Sequence, residues 1–318
     1  MKRIAFYLAC LTNIFESWAS LPADERRRIP VGGQAVIEGV LMKGPEHWGL
    51  AVRRPDGTMY CRSWLESRWQ KRGLWKVPVI RGFASMAEMM RMGFKAMSFS
   101  AEQALGEDGS FSFFEMFCTA LFAAVMVGGL FIALPVWISD RIARYADISG
   151  AAKNAAEGAA RGAVFVAYIA AVGMWKDIRR VFAYHGAEHK TINAWETGAE
   201  LTPEGVASCS RIHRRCGTSF IIVAVVVSIV IFSFFGGGPI WRRVLARVLL
   251  LPVVVGISYE IIKEASKSDT WGRCLIMPAL SLQYLTTREP DPSMIEVAVK
   301  SLDAALNPAA YEISDEVK

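Results

Sequence analysis

FFEMFCTALFAAVMVGGLFIALPVWI, residues 113–138, is one of two long apolar runs in the chain; TSFIIVAVVVSIVIFSFF, residues 218–235, is the other. A helix needs ~20 consecutive apolar residues to cross a hydrocarbon core, so both runs are expected to span a membrane. Two further segments fit less cleanly. Residues 162–175 offer only a short clean run, and residues 244–262 carry Arg247, Pro252 and Glu260. Snorkelling of terminal charges and a proline kink make spans of both, which gives about four transmembrane helices. Residues 275–285 are too short to cross and read as an interfacial or re-entrant helix.

The composition agrees. With 53% hydrophobic residues beside 21% charged ones, the apolar residues must be gathered into blocks, as in a mainly α membrane protein with a substantial polar part. Lys176, Arg179, Arg180, Lys190, Arg211, Arg214 and Arg215 lie between the second and third spans and place that segment in the cytoplasm. Both termini then fall inside a multi-pass inner-membrane protein, in agreement with sixteen Lys and Arg residues before Phe113. Arg242 and Arg243, on the opposite side, run against this pattern. Residues 1–20 imitate a signal peptide, with Lys2, Arg3, an apolar run over 4–11 and a small-residue site ending at Ala19. Glu16 and the orientation favour an uncleaved amphipathic helix within an N-terminal extension, 1–30. The six cysteines should be reduced thiols. The net charge of +6 suits basic flanks on anionic lipid, not nucleic acid, since no basic stripe is interleaved with aromatics.

The polar part begins with an expected β-meander over residues 31–65: QAVIEGVLM, WGLAVRR, a Pro55-Asp56-Gly57 turn, then TMYCRSWLE. Residues 76–100 follow as an amphipathic helix at the membrane surface, with Ile80, Phe83, Met86, Met90, Phe94 and Met97 at helical spacing. Together, residues 31–112 form a cytoplasmic α+β unit. Residues 113–286 form the membrane domain, interrupted by the cytoplasmic segment 176–217. The small-residue stretch SGAAKNAAEGAARG suits a short external loop or a helix start. In the C-terminal part, 287–318, Asp291 and Pro292 cap a helix over 293–306 whose face of Ile295, Ala298, Val299 and Leu302 docks on the cytoplasmic domain.

Three of the chain's four histidines fall within 29 residues. A helix running on from Gly162 without meeting a proline would place His185 and His189 one turn apart, their bases ~6 Å from each other. Glu188 completes H-x-x-E-H, a pattern in which two histidines hold zinc and the glutamate deprotonates a water. CSRIHRRC, residues 209–216, adds His213 and Cys216, enough for a site of three histidines or of three histidines and one cysteine. Glu196, seven residues after His189, is a further candidate ligand. Plainer readings stand beside these: the histidines as cations at a helix C-terminus, Cys216 as a buried apolar thiol, Tyr184 in an aromatic belt. Glu38, in Val36–Val40, is either edge-exposed or a buried carboxylate whose partner is the histidine cluster.

Four motifs, GGQAVIEGVLMKG (32–44), MWKDIRRVFAYHGAEHKTINAWETGAELT (174–202), SRIHRRCGTSF (210–220) and LQYLTTREPDPSMIEVAVKSLDAAL (282–306), resemble the bacterial YqhQ-like family of membrane proteins, a domain of unknown function. The resemblance runs from Val31 to Leu306. It implies a metal-dependent membrane enzyme, with the family's pieces at His185, Glu188, His189, Arg211, His213, Arg215, Cys216, Gly217 and Thr218, and it implies no substrate. The expectation is a cytoplasm-facing hydrolase using zinc or another divalent metal on a membrane-associated peptide or lipid. His185, His189 and His213 are its ligands, Glu188 its general base, and Cys216 or Glu196 the alternative ligand. The alternative is a non-enzymatic membrane factor with a closed structural site of three histidines and Cys216, which binds another membrane protein. A third reading has no metal, with Glu188 paired to Arg215 or Lys190.

Overall fold

Four short strands, β1 (Gly32–Val36), β2 (Gly39–Lys43), β3 (His47–Arg53) and β4 (Met59–Leu65), form an antiparallel meander, and β5 (Glu312–Ser314) adds a parallel edge strand beside β4. The structure, a computed structural model, describes residue 29 and residues 31–66, 73–105, 113–235, 239–265 and 271–314. The expected helix within residues 1–20 lies outside them. QAVIEGVLM, expected as one strand, is two. The chain reverses at Ile37–Glu38, Val36 pairs with Gly39, and Glu38 takes a left-handed conformation with φ 51°. Positive φ at a two-residue hairpin loop is the ordinary geometry for such a reversal.

The period of two along the strands sorts side chains onto two cores. Leu41, Trp48, Leu50, Val52 and Trp64 face helix α1 (Ile80–Leu105), where Met92 and Ala96 meet them. Val40, Met42 and Ala51 face the opposite way, into a core shared with two helices from later in the chain. One of these is the C-terminal helix, whose expected cap is present: the Asp291 side chain accepts a hydrogen bond from the Met294 amide at 3.0 Å. That helix lies directly on β3 because Gly49 has no side chain. A Cβ there would strike the backbone of Ser301 and Ala305, and the Ser301 hydroxyl donates to the Gly49 carbonyl at 2.9 Å.

Between these parts run α2 (Phe113–Gly128), a π-helical turn over Gly129–Ala133, α3 (Leu134–Ala146), α4 (Gly150–Val172), α5 (Lys176–Thr197), α6 (Pro203–Ala207), α7 (Gly217–Ser233), α8 (Ile240–Ala265), α9 (Trp271–Thr286) and finally α10 (Pro292–Leu306). Three helical stretches among the described residues are long and apolar enough to cross a membrane: Leu121–Ala146, Gly150–Val172 and Trp241–Ala265. The apolar run of α7, Ser219–Phe232, is shorter, so three of the four expected spans have helices of crossing length among the described residues and the one expected over 218–235 does not. SGAAKNAAEGAARG is helix, not loop. The expected unbroken helix from Gly162 to Thr191 is also corrected. α4 ends at Gly173, whose amide bonds back to Ile169, and extended backbone at Trp175 starts α5 afresh. The proline-free sequence allowed continuity, but Gly173 closes the first helix and the charged α5 has its own packing partners.

Candidate metal centre

α5 is the element on which the site is built, and its second half is buried from Gly186 to Ile192. It crosses the β1 edge of the sheet on one side and the segment 287–290 on another. Gly186 permits the second crossing: a Cβ at this position would collide with the Arg288 carbonyl, and the Arg288 amide donates to the Phe182 carbonyl at 2.8 Å. The loop after α6 has little backbone pairing of its own, and α5 side chains satisfy it instead. Lys190 Nζ donates to the carbonyls of Ala207 and Cys209, both at 2.9 Å, and Asn193 Nδ2 donates to those of Ser210 and Ile212 at 2.6 and 3.1 Å. Arg211 in turn reaches the Thr287 carbonyl at 2.6 Å. The loop is thereby laid along α5 and delivers Cys216 to the start of α7.

His185, His189 and Cys216 come together there, each offering one ligand atom, with all three atoms within 4.8 Å of one another. His185 Nδ1 lies 2.9 Å from the Thr286 carbonyl, and His189 Nδ1 lies 2.7 Å from the Arg211 carbonyl. A carbonyl oxygen only accepts, so each Nδ1 carries the proton and each Nε2 keeps its lone pair. The Nε2 of His185 is 3.4 Å from Cys216 Sγ. A tetrahedral zinc with bonds of ~2.0–2.1 Å to nitrogen and ~2.3 Å to sulfur holds such atoms about 3.6 Å apart, so this pair is spaced as two ligands of such an ion would be. Burial pushes the His189 imidazole below its usual range, which favours the neutral, ligating form. His189 and Cys216 are buried, while His185 is part-exposed.

Several expected residues stand elsewhere. His213 is close, its ring centroid 5.8 Å from that of His189, but both nitrogens are engaged. Nδ1 accepts from the Arg215 amide at 3.3 Å, so Nε2 is the protonated nitrogen and donates to Glu196 at 3.4 Å. Of the two, Cys216 and not His213 joins His185 and His189 in the group of side chains that could hold an ion. Glu196 is bound by Arg215 as well as His213; burial raises its carboxyl, and these two partners outweigh burial and hold it below the usual carboxylate range. Glu38 is not beside the histidines. Arg180 grips it in the hairpin turn, and the buried Tyr184 hydroxyl donates to it at 3.2 Å, which also removes Tyr184 from any aromatic belt.

Glu188 is 4% exposed, and its Oε2 makes no hydrogen bond among the described residues. Burial pushes its carboxyl up to about 7, with the nearby His185 opposing. It pairs with neither Lys190, which binds carbonyls and Glu289, nor Arg215, which binds Glu196. Its Cγ lies against Gly33 of β1, beside the ligand group and not in it. Sequence reasoning passed over Gln283. This fully buried amide of α9 accepts from the His213 amide at 2.9 Å and donates to the His213 carbonyl at 2.7 Å. A lone amide in the apolar run 275–285 was its only signal.

The fold and site define a mostly helical chain with a small sheet docked on helices, in which one helix carries a part-exposed and a buried histidine opposite a buried cysteine. Residues 77–308 match a family described as "Protein of unknown function (DUF1385)", and the chain belongs to that family. It is similar to the "Uncharacterized protein YqhQ" of Bacillus subtilis (strain 168), with 35% identity over 292 residues, 86% of this chain and 92% of that protein. No solved structure matches the chain. The YqhQ-like resemblance is borne out as family membership, and any activity has to be argued from the site.

Proposed function

We propose that this chain is a membrane-embedded, cytoplasm-facing hydrolase that depends on a divalent metal, zinc being the ion whose chemistry suits the donors, and acts on a membrane-associated peptide or lipid. The observation that carries this reading is the convergence of His185 Nε2, His189 Nε2 and Cys216 Sγ, with both Nδ1 protons fixed on backbone carbonyls. Imidazoles oriented by a hydrogen bond at the other nitrogen are the usual ligand arrangement. Three protein ligands leave a tetrahedral ion one position, the pattern of catalytic and not of structural zinc.

A divalent ion held there supplies a Lewis acid and lowers the pKa of a bound water toward ~7. Glu188 accepts the proton, using the buried Oε2 that has no other partner among the described residues. The Thr286 and Arg211 carbonyls keep the rings from turning, and His185, as the part-exposed ligand, marks the side on which substrate enters. The closed alternative, with three histidines and Cys216 binding a partner protein, requires a nitrogen of His213 that Arg215 and Glu196 already occupy.

Membrane placement rests on the three long apolar helices, with α7 proposed as a short fourth span. The exposed stripe of Ile80, Phe83, Met90 and Phe94 on α1 lies on the bilayer surface in this reading. Basic residues of α5 and its following loop face the cytoplasm of an inner-membrane protein, as do both termini. The test is Glu188→Gln, introduced into a strain lacking the gene: the protein keeps its metal and fails to restore function. A variant that restores function fully overturns the hydrolase reading.

A further inference from the structure

Far from the metal centre, near the opposite end of the helix bundle, lies a buried ionic cluster. Glu157 of α4 receives Arg161 at 3.0 Å, Arg243 at 2.9 Å and Arg247 at 2.9 Å, and Asp140 of α3 receives Arg243 and Lys153, both at 2.5 Å. Among the described residues, four cations face two carboxylates, an excess of two positive charges. Arg243 and Arg247 are 1% and 2% exposed. Charges in such a place are costly unless paired; each of these cations reaches a carboxylate, but the cluster as described keeps a net charge of two positive.

The cluster opens onto a cavity of about 430 Å³, within the range of ~300–1,000 Å³ typical of small-molecule sites. Its walls are apolar, with Phe131, Phe165, Ile221, Ala224 and Leu251 among them, and Arg161 and Arg247 border it at one end. Both guanidinium groups stack on Phe232, at 5.4 and 4.8 Å from the ring centroid. Arg161 is anchored by the Phe131 carbonyl at 3.1 Å, inside the π-helical turn, and by Ser228 at 2.9 Å. π-Turns within helices recur at functional sites. From the arginines the cavity runs along α7 to Phe220, one turn from Cys216.

From this we infer that the cavity binds an anionic phospholipid, one acyl chain lying along the α7 wall and the phosphate compensating Arg161 and Arg247. The charge excess selects an anionic over a zwitterionic headgroup, and the apolar walls select an acyl chain over a free anion. The inference rests on the membrane placement proposed above and not on the metal. Arg161→Gln removes one cation while leaving Glu157 two arginine partners. Ala224→Phe fills the cavity and touches no charge; Leu251→Trp, at a half-exposed wall position, serves if Ala224→Phe does not fold.

The experiment is native mass spectrometry of the delipidated full chain in detergent, titrated with phosphatidylglycerol or phosphatidylcholine of the same acyl chains. Phosphatidylglycerol should be retained about tenfold better, which corresponds to ~1.4 kcal/mol. Ala224→Phe, or its substitute, should abolish retention, and Arg161→Gln should erase the preference. Equal retention of the two lipids, or retention of phosphatidylglycerol unchanged by cavity filling, overturns the site. Carbonate extraction of membranes separates the two premises: a chain that stays in the membrane without lipid preference refutes the lipid site alone, and a chain that is extracted refutes both.

Discussion

His185 Nε2 and Cys216 Sγ stand 3.4 Å apart although 31 residues separate them in the chain. The approach is enforced at both ends, by the Thr286 carbonyl on His185 and by the loop that α5 side chains hold along the helix. It sets Cys216 apart from His213 and Glu196, the other residues that the sequence offered as ligand beside the pair of histidines.

His213→Ala should therefore keep the metal, since the lost contacts are those to Glu196 and Arg215, whereas His185→Ala should lose it. Equilibrium dialysis of each purified variant checks this. Even loss of a group that hydrogen-bonds a ligand costs ~10–100-fold in affinity, and the His213 ring bonds to Glu196 and Arg215 instead, so a tight site stays loaded. Equal loss in both variants returns His213 to the ligand set.

Gly186→Ala places a methyl group against the Arg288 carbonyl. Overpacking of this kind costs ~1–3 kcal/mol, and the strain falls next to His185. Thermal unfolding should shift downward and metal affinity should fall with it; unchanged values of both would mean that segment 287–290 is not held against α5 as described.

Asp291 gives the pH dependence a sign. Burial raises its carboxyl, but hydrogen bonds from Ser293 and the Met294 amide outweigh burial and hold it below the usual range. A carboxylate depressed in the folded state stabilises the fold fully above its unfolded pKa, and this is lost as pH falls through the folded value. Asp291→Ala should cost ~1 kcal/mol at neutral pH, the usual worth of an N-cap, and the difference from wild type should shrink on acidification.

Glu157→Gln should be the most damaging single change in the helix bundle. It takes one of two carboxylates from four buried or half-buried cations, and breaking a buried pair costs ~3–5 kcal/mol. The readouts are monodisperse yield in detergent and melting temperature. A variant that purifies and melts like wild type contradicts the assigned network.

Much of this architecture was legible in local pattern. Alternation marked the meander, Asp291-Pro292 marked the start of α10, and H-x-x-E-H marked two members of the His185, His189 and Cys216 group. What stayed hidden depended on contacts between distant segments. The turn at Ile37–Glu38 sits inside one apolar stretch, QAVIEGVLM, and the Glu38-Gly39 pair was its local sign. The choice of Cys216 over His213 follows from which nitrogen the Arg215 amide binds, which spacing cannot show. Arg243, which spoiled the charge asymmetry of the loops, is not a loop charge: it is buried against Asp140 and Glu157. The matching i, i+4 pairs Glu157/Arg161 and Arg243/Arg247 were the available signal, masked by the small residues around the first pair.

The most direct test of the central claim is the metal content of the detergent-purified chain, wild type against Cys216→Ser, measured by inductively coupled plasma mass spectrometry. About one equivalent of a divalent transition metal in the wild type and a large loss in the variant is the expected result, since Cys216 would supply one of the three ligands proposed among the described residues. A wild-type protein without stoichiometric metal, or a Cys216→Ser protein that keeps it undiminished, contradicts the site.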